Sequence, residues 1–240
     1  MTPQLLRSDS GGIATLTLNR PDHRNALTVT LLEDLVTELT SIQDSGQVRA
    51  VILTGAGGAF CSGADLTEFA GRPADPGRQR RIDLVAESMA RLRGLPWPTI
   101  AAACGPVLGA GWGLALACDL TYAAAGTIFC LPEVPKGYRL PPAITSRLRE
   151  VVGPVRAAEI ILTGSRYTGT DGVAAGWVAR CLPDTAAVLR SATGVAQALA
   201  AQPPEAITGV VRALRACGPA GPYPRFPTEQ NEENGEHEDE

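Results

Sequence analysis

The sequence predicts an α/β fold in which a largely buried sheet packs against helices. Residues 13–19 alternate between apolar and polar side chains, as a half-buried strand does. Residues 50–53 and 99–104 are continuous apolar runs, which are typical of parallel strands buried on both faces. Segments with apolar residues at helical spacing lie between these strands, and this alternation indicates an α/β domain.

The other elements follow from the same signals. Thr30 and Glu33 have the spacing of a capping box, so the first helix should begin near residue 30 and end near Gly46. A second helix has apolar residues at helical spacing from Ile82 and ends at Gly94. Further helices are predicted at about 109–118, 143–152, 154–163, 170–176, 184–201 and 204–216, and further strands at 119–124, 127–130 and 177–181.

The formal net charge of -4 is concentrated at one end of the chain. Seven of the 25 acidic residues fall within 229–240, so residues 1–228 carry 18 acids against 21 bases. We expect one domain over residues 1–217, with a core to about residue 140 and a helical part over 141–217. Residues 218–240 are rich in proline and glycine and then acidic, a composition that predicts a disordered tail.

Composition excludes several functional classes. No run of 18 apolar residues occurs, and the first residues are too polar for a signal peptide, so a cytoplasmic protein without a membrane span is expected. Six cysteines occur singly, and the only histidines are His23 and His237, so neither a metal site nor a Ser-His-Asp triad is expected. Basic and aromatic residues are not interleaved, so nucleic acid is not an expected partner.

Two glycine-rich turns, at 55–66 and 109–113, each follow a predicted buried strand. Such turns let backbone N–H groups point at one spot with no side chain in the way. Two converging N–H groups form an oxyanion hole, which stabilises a carbonyl oxygen that becomes an enolate. The alternative is that these glycines only permit tight turns between elements.

Glu133 is the third feature, because it lies among apolar residues and prolines just after a predicted strand. Burial would raise the pKa of its carboxyl toward the range that is useful for moving protons near neutrality. The alternative is an exposed loop acid that pairs with Lys136 or Arg139.

The order and spacing of these features resemble the crotonase (enoyl-CoA hydratase/isomerase) superfamily, from about Ile13 to about Ala216. The resemblance implies a spiral of ββα units with a C-terminal helical region. It also implies a trimer or hexamer that acts on acyl thioesters of coenzyme A and needs no separate cofactor. It rests on Asn19-Arg20-Pro21 with Asn25-Ala26-Leu27, Ala59-Phe60-Cys61-Ser62-Gly63-Ala64-Asp65-Leu66, Gly105-Pro106 with Leu108-Gly109-Ala110-Gly111, Ala117-Cys118-Asp119 and Leu131-Pro132-Glu133.

Residue by residue, the resemblance places the two oxyanion donors at the N–H groups of Ala64 and Ala110. The stretch around Arg24 and Ala26 matches the segment that contacts coenzyme A, where Arg24 would reach a phosphate; an ordinary surface arginine is the alternative. The remaining substrate-binding positions that the resemblance implies are Ser62, Gly63, Asp65, Leu66, Gly109 and Gly111, of which Asp65 is interpreted as an acid that orders its loop.

One departure from the family pattern bears on the reaction. Family hydratases hold a water molecule between two glutamates; the first maps to Gly113 here, and the second maps to Glu133. A single carboxylate beneath an oxyanion hole suits isomerisation of a 3-enoyl to a 2-enoyl thioester. Decarboxylation of a malonyl-type thioester, hydration with Glu68 as the second acid, and a non-catalytic acyl-thioester binder remain alternatives.

A second departure lies at the C-terminus. Family members usually add two more helices that cover the active site, whereas this chain continues into prolines, glycines and acids. The partner that presents the acyl group is therefore expected to be either coenzyme A or an acyl carrier protein.

Overall fold

The computed structural model describes residues 2–69 and 76–216. It contains a six-stranded sheet with the strand order β1-β2-β3-β4-β6-β9 and a smaller sheet with the order β5-β7-β8. The strands are β1 (Leu5–Ser10), β2 (Ile13–Leu18), β3 (Ala50–Gly55), β4 (Thr99–Ala103), β5 (Pro106–Leu108), β6 (Leu120–Ala124), β7 (Ile128–Cys130), β8 (Tyr167–Thr168) and β9 (Arg180–Leu182).

Helices connect and cover these strands, so the predicted α/β fold is confirmed. Short 3-10 turns at Pro21–His23, Ala56–Gly58, Leu66–Phe69 and Val134–Lys136 lie between the longer elements. The α-helices are α1 (Val29–Ser45), α2 (Pro76–Gly94), α3 (Ala110–Ala117), α4 (Pro142–Val152), α5 (Pro154–Thr163), α6 (Gly169–Ala175), α7 (Thr185–Ala200) and α8 (Pro204–Ala216). Among the described residues, none of these helices is long and apolar enough to cross a membrane.

The large sheet is parallel apart from the β1–β2 hairpin. Alternate residues of β3 enter two separate cores, which explains its continuous apolar run. Val51 and Leu53 pack with α1, α2 and α3, whereas Ala50 and Ile52 pack against α7 on the opposite face. Every residue of β4 is buried.

The small sheet is extended by two isolated bridges that reach the glycine-rich loops. Cys61 pairs with Val107 of β5, and Leu27 pairs with Ala64, both in parallel orientation. The N–H of Cys61 donates to Pro106 O at 3.0 Å, and the N–H of Leu108 donates back to Cys61 O at 2.9 Å. The two loops are thereby fixed beside each other.

The last described helix is pinned to the core by Arg215. Its guanidinium donates to both carboxylate oxygens of Asp119, at 2.8 and 2.6 Å, and to the carbonyls of Arg93 and Trp97 at 2.8 and 3.1 Å. The carbonyl of Leu95 is a further acceptor. The predicted tail at 218–240 lies outside the described residues.

Some predicted details were wrong. Thr28, not Thr30, caps α1, because Thr28 has extended backbone and its hydroxyl accepts the N–H of Leu31 at 3.1 Å. The last predicted strand, at 177–181, lies at 180–182 instead, where it pairs with β6. Strands β1, β5 and β8 were not predicted.

Candidate active site

The first glycine-rich loop presents the N–H of Ala64 because its neighbours are already paired. Leu27 N donates to Gly63 O at 2.8 Å, and Asp65 N donates to Leu27 O at 3.0 Å. Successive peptide groups of an extended chain point in opposite directions, so the N–H of Ala64 is directed away from Leu27. The segment that the resemblance assigns to coenzyme A is thus joined to Ala64, the first predicted oxyanion donor.

Buried polar groups hold this loop in place. Asp65 is 4% exposed, pairs with Arg20 Nη1 at 2.8 Å, and accepts the N–H and hydroxyl of Thr67 at 3.0 and 2.6 Å. Burial alone would raise the pKa of Asp65, but the hydrogen bonds from Thr67 and the ion pair with Arg20 together hold it below its ordinary value. Asn25, fully buried at φ 56°, donates to the carbonyls of Ala56 and Ala59 at 2.9 and 2.6 Å.

The second loop presents the N–H of Ala110, the first residue of α3, which has no acceptor within its own helix. Gly109 precedes it at φ 53° and ψ −124°, a conformation that favours glycine. Close packing also requires small residues here: a Cβ on Gly63 would lie 2.9 Å from Leu108 O and 3.7 Å from Ala110 N. A Cβ on Gly111 would lie 2.7 Å from Cys61 Cβ. The two donor loops are therefore in direct backbone contact.

Glu133 follows β7, and its carboxylate lies over Gly109. A Cβ on Gly109 would overlap Oε1 of Glu133 and lie 3.5 Å from its Cδ. The Oε2 atom is buried and accepts no hydrogen bond from the residues that the structure describes. Burial raises the pKa of the Glu133 carboxyl above its ordinary value, although its own backbone N–H and the Lys136 ammonium act in the opposite direction. A buried carboxylate with a raised pKa and an unpaired oxygen is a stronger proton acceptor than an exposed one.

These groups share one cavity of about 140 Å³. A base and two backbone donors that face one small space can stabilise an enolate and move its proton. The lining residues are Ser62, Gly63, Ala64, Arg81, Ile82, Val85, Gly109, Ala110, Pro132, Glu133, Lys136, Tyr138, Arg139 and Pro141. Among them, Glu133 supplies the carboxylate.

At Gly113, the position that maps to the first glutamate of family hydratases, neighbouring side chains occupy the space that a side chain would need. Gly113 is buried, and a Cβ there would lie 2.8 Å from Ile144 Cδ1 and 3.3 Å from Met89 Sδ. Glu68, the alternative second acid, does not line the cavity; its Oε2 accepts the N–H of Val29 at 3.3 Å. The described part of the site therefore contains a single carboxylate.

Of the other predicted site residues, Ser62, Gly63 and Gly109 line this cavity, and Asp65 and Gly111 do not. Arg24 is exposed at φ 51° and Ala26 is buried, and neither lines the cavity. The N–H of Ser62 donates to Arg24 O at 3.0 Å, so Arg24 borders the first loop. Leu66 opens a 3-10 turn, and its side chain lies outside the described part of the chain.

Eight lining residues were not predicted, of which four carry polar or charged side chains: Arg81, Lys136, Tyr138 and Arg139. Lys136 and Arg139 had been considered only as ion-pair partners of Glu133, and neither forms an ion pair within residues 2–69 and 76–216. Their nearness to Glu133 in sequence was the available signal. No group of three or more potential metal ligands occurs in the described residues.

Comparison with known proteins shows which family this chain belongs to. The family model for enoyl-CoA hydratase/isomerase matches residues 8–218. The chain belongs to the enoyl-CoA hydratase/isomerase family. The crotonase resemblance and fold are thus confirmed: an enoyl-CoA hydratase structure from Bacillus anthracis superposes with a TM-score of 0.85 at 33% identity, covering 89% of this chain and 83% of that one.

The relatives of this enoyl-CoA hydratase/isomerase family member are named for different activities. The 2,3-dehydroadipyl-CoA hydratase of Escherichia coli (strain K12) is 34% identical over 212 residues, which cover 88% of this chain and 82% of that protein. The Bacillus subtilis (strain 168) protein YngF, which carries the hydratase/isomerase name, is 40% identical over 169 residues. That match covers 69% of this chain and 64% of the length of YngF.

Proposed function

We propose that this protein isomerises a 3-enoyl thioester of coenzyme A to the 2-enoyl thioester. The observation that carries the proposal is the single, buried and unpaired carboxylate oxygen of Glu133, which faces the same cavity as the Ala64 and Ala110 loops. Isomerisation requires one group that removes a proton at C2 and returns it at C4, whereas hydration also requires an activated water.

In this mechanism the thioester oxygen accepts hydrogen bonds from the N–H groups of Ala64 and Ala110. The Glu133 carboxylate takes the C2 proton, the electron pair moves into the thioester to give a dienolate, and Glu133 becomes neutral. The dienolate then takes the same proton at C4, the double bond settles between C2 and C3, and the carboxylate is regenerated. No atom is gained or lost.

Two features of the site make these steps feasible. Removing one donor from an oxyanion hole costs about 10²–10³ in rate, so the backbone loops supply much of the expected acceleration. The raised pKa of Glu133 makes its carboxylate a stronger base than an exposed glutamate, which helps it to remove a weakly acidic C–H proton. Both features follow from backbone placement and burial.

The packing at Gly113 supports isomerisation over hydration. Ile144 and Met89 occupy the space that a side chain at 113 would need. Glu68 is turned toward the start of α1 and the Arg81 guanidinium, 3.9 Å away. Neither Gly113 nor Glu68 therefore provides a second acid that could hold a water molecule opposite Glu133.

Incubation with three thioesters in deuterated water tests the proposal. Wild type, Glu133→Gln and Glu68→Gln are given 3-enoyl-CoA, 2-enoyl-CoA and methylmalonyl-CoA, and products are followed by mass spectrometry. We expect wild type and Glu68→Gln to shift the 3-enoyl double bond, and Glu133→Gln to be about 10²–10⁴-fold slower. Glutamine keeps the shape of the side chain and removes the base.

Each other outcome identifies an alternative. Hydration of the 2-enoyl substrate without any shift of the 3-enoyl double bond would show a hydratase, and loss of that hydration in Glu68→Gln would assign the second acid. Release of carbon dioxide from methylmalonyl-CoA alone would show a decarboxylase. Binding without turnover, unchanged in Glu133→Gln, would show an acyl-thioester binder.

A further inference from the structure

Three of the residues that line the cavity carry positive charge, and together they are called the positive wall. Lys136 and Arg139 follow Glu133 in the chain, and Arg81 projects from α2. Lys136 and Arg139 are exposed and form no ion pair with any described residue. The Arg81 side chain is 7% exposed, and its Nη1 lies 3.9 Å from Glu68 Oε2. Arg81 thus lies beside Glu68, whereas Lys136 and Arg139 share the cavity with Glu133 and have no described ion-pair partner.

These cations lie on the acyl side of the reacting carbonyl, an assignment that rests on the proposed function. The Arg24–Leu27 stretch, where coenzyme A is expected, pairs with Ala64 from outside the cavity. With the thioester oxygen at the Ala64 and Ala110 donors, the rest of the cavity receives the acyl chain. Ile82 and Val85 provide its apolar wall.

We propose that the substrate's acyl chain ends in a carboxylate, so that the enzyme acts on short dicarboxylyl thioesters. Lys136 and Arg139 have no described ion-pair partner, and an anionic group at the chain's end would form charge-assisted hydrogen bonds with them. The carboxylate belongs at the distal end, because next to C2 it would be repelled by Glu133.

The cavity volume limits the length of this chain. An apolar cavity of about 150 Å³ holds one benzene molecule, and this cavity measures about 140 Å³. The enclosed part therefore accommodates an acyl group of about five or six carbons, with its carboxylate near the exposed ends of Lys136 and Arg139.

Binding of unreactive saturated thioesters tests the inference without relying on turnover. Calorimetry would give Kd for glutaryl-CoA, pentanoyl-CoA, malonyl-CoA and free coenzyme A. We expect wild type to bind glutaryl-CoA about tenfold or more tightly than pentanoyl-CoA, which has the same chain length without the charge. Arg139→Met and Lys136→Met should each reduce that ratio about two- to fivefold, while Arg156→Met, an exposed arginine on α5, should leave it unchanged.

Three results would overturn the inference. The first is equal or tighter binding of pentanoyl-CoA by wild type. The second is an equal loss of affinity for free coenzyme A in Arg139→Met and Lys136→Met, which would assign these cations to the coenzyme's phosphates. The third is a preference for malonyl-CoA over glutaryl-CoA, which would place the carboxylate beside C2. Tighter binding of glutaryl-CoA without isomerase turnover would retain this inference and reject the proposed function. Isomerase turnover with tighter binding of pentanoyl-CoA would retain the proposed function and reject this inference.

Discussion

Replacing Gly109 with alanine should displace Glu133, the proposed catalytic base, without removing it. Gly109 has φ 53° and ψ −124°, and a Cβ there would overlap Oε1 of Glu133. Relief of this overlap requires the carboxylate to move by about 1 Å, to a normal contact distance. Since a misplacement of about 1 Å can cost 10²-fold in rate, we expect kcat for 3-enoyl isomerisation to fall about 10²-fold.

The backbone conformation adds a separate cost in stability. An alanine at positive φ destabilises the folded state by about 1–3 kcal/mol, which lowers Tm by about 2–10 °C in a chain of this length. Gly153→Ala is the matched control. Gly153 also has a conformation that favours glycine, at φ 78° and ψ 166°, but a Cβ there meets no atom within 4 Å.

The assay compares kcat, KM and Tm for wild type and the two variants. Both variants should lose similar stability, and only Gly109→Ala should lose kcat. The reasoning fails if Gly109→Ala keeps kcat within twofold of wild type, because the carboxylate would then not need its present position. It also fails if Gly153→Ala loses as much activity, because the loss would then reflect stability alone.

Three further predictions concern charge. Lys136→Met should raise the pKa of Glu133, because the ammonium now lowers it, so the rise of kcat with pH should shift to higher pH; an unchanged or lower midpoint would contradict this. Arg215→Met should lower the free energy of unfolding by about 3–5 kcal/mol in urea, whereas the exposed Arg212→Met should change it by less than about 0.5 kcal/mol. Asp65→Asn should destabilise the protein at pH 7 and progressively less below about pH 4, since a lowered carboxyl pKa stabilises the fold only while the group is ionised; an equal loss at both pH values would indicate a role independent of charge.

The sequence predicted the long elements because their patterns are periodic or continuous. It missed β1 because that strand lies at a sheet edge and is mostly exposed, so it shows no apolar alternation. It missed β5 and β8 because they have three and two residues, too few for any period. The cap of α1 was misplaced because the backbone angles of Thr28, not the spacing of side chains, decide where the helix begins.

The sequence predicted the loops of the site one by one, whereas the contacts between them are seen only in the structure. Local sequence shows glycines at 63, 109 and 111, but the contacts that demand them are made with residues distant in the chain. The positive wall was missed for the same reason. The sequence suggests Lys136 and Arg139 only as ion-pair partners under the alternative that Glu133 is an exposed loop acid. The fold shows that they line its cavity without forming an ion pair with any described residue.

The two loops that carry the Ala64 and Ala110 N–H groups consist mainly of small residues because the backbone, not side chains, forms this part of the site. The bridges of Leu27 with Ala64 and of Cys61 with Val107 join the first loop to the small sheet, and β5 pairs directly with β7, which leads to Glu133. Donors and base are therefore set by one continuous network of backbone hydrogen bonds. Such a network leaves Lys136 and Arg139 of the positive wall free to change, because they contribute no described ion pair to the fold. Under the proposed function, substrate preference can thus change at these two positions while the placement of the Ala64 and Ala110 N–H groups and of Glu133 stays fixed.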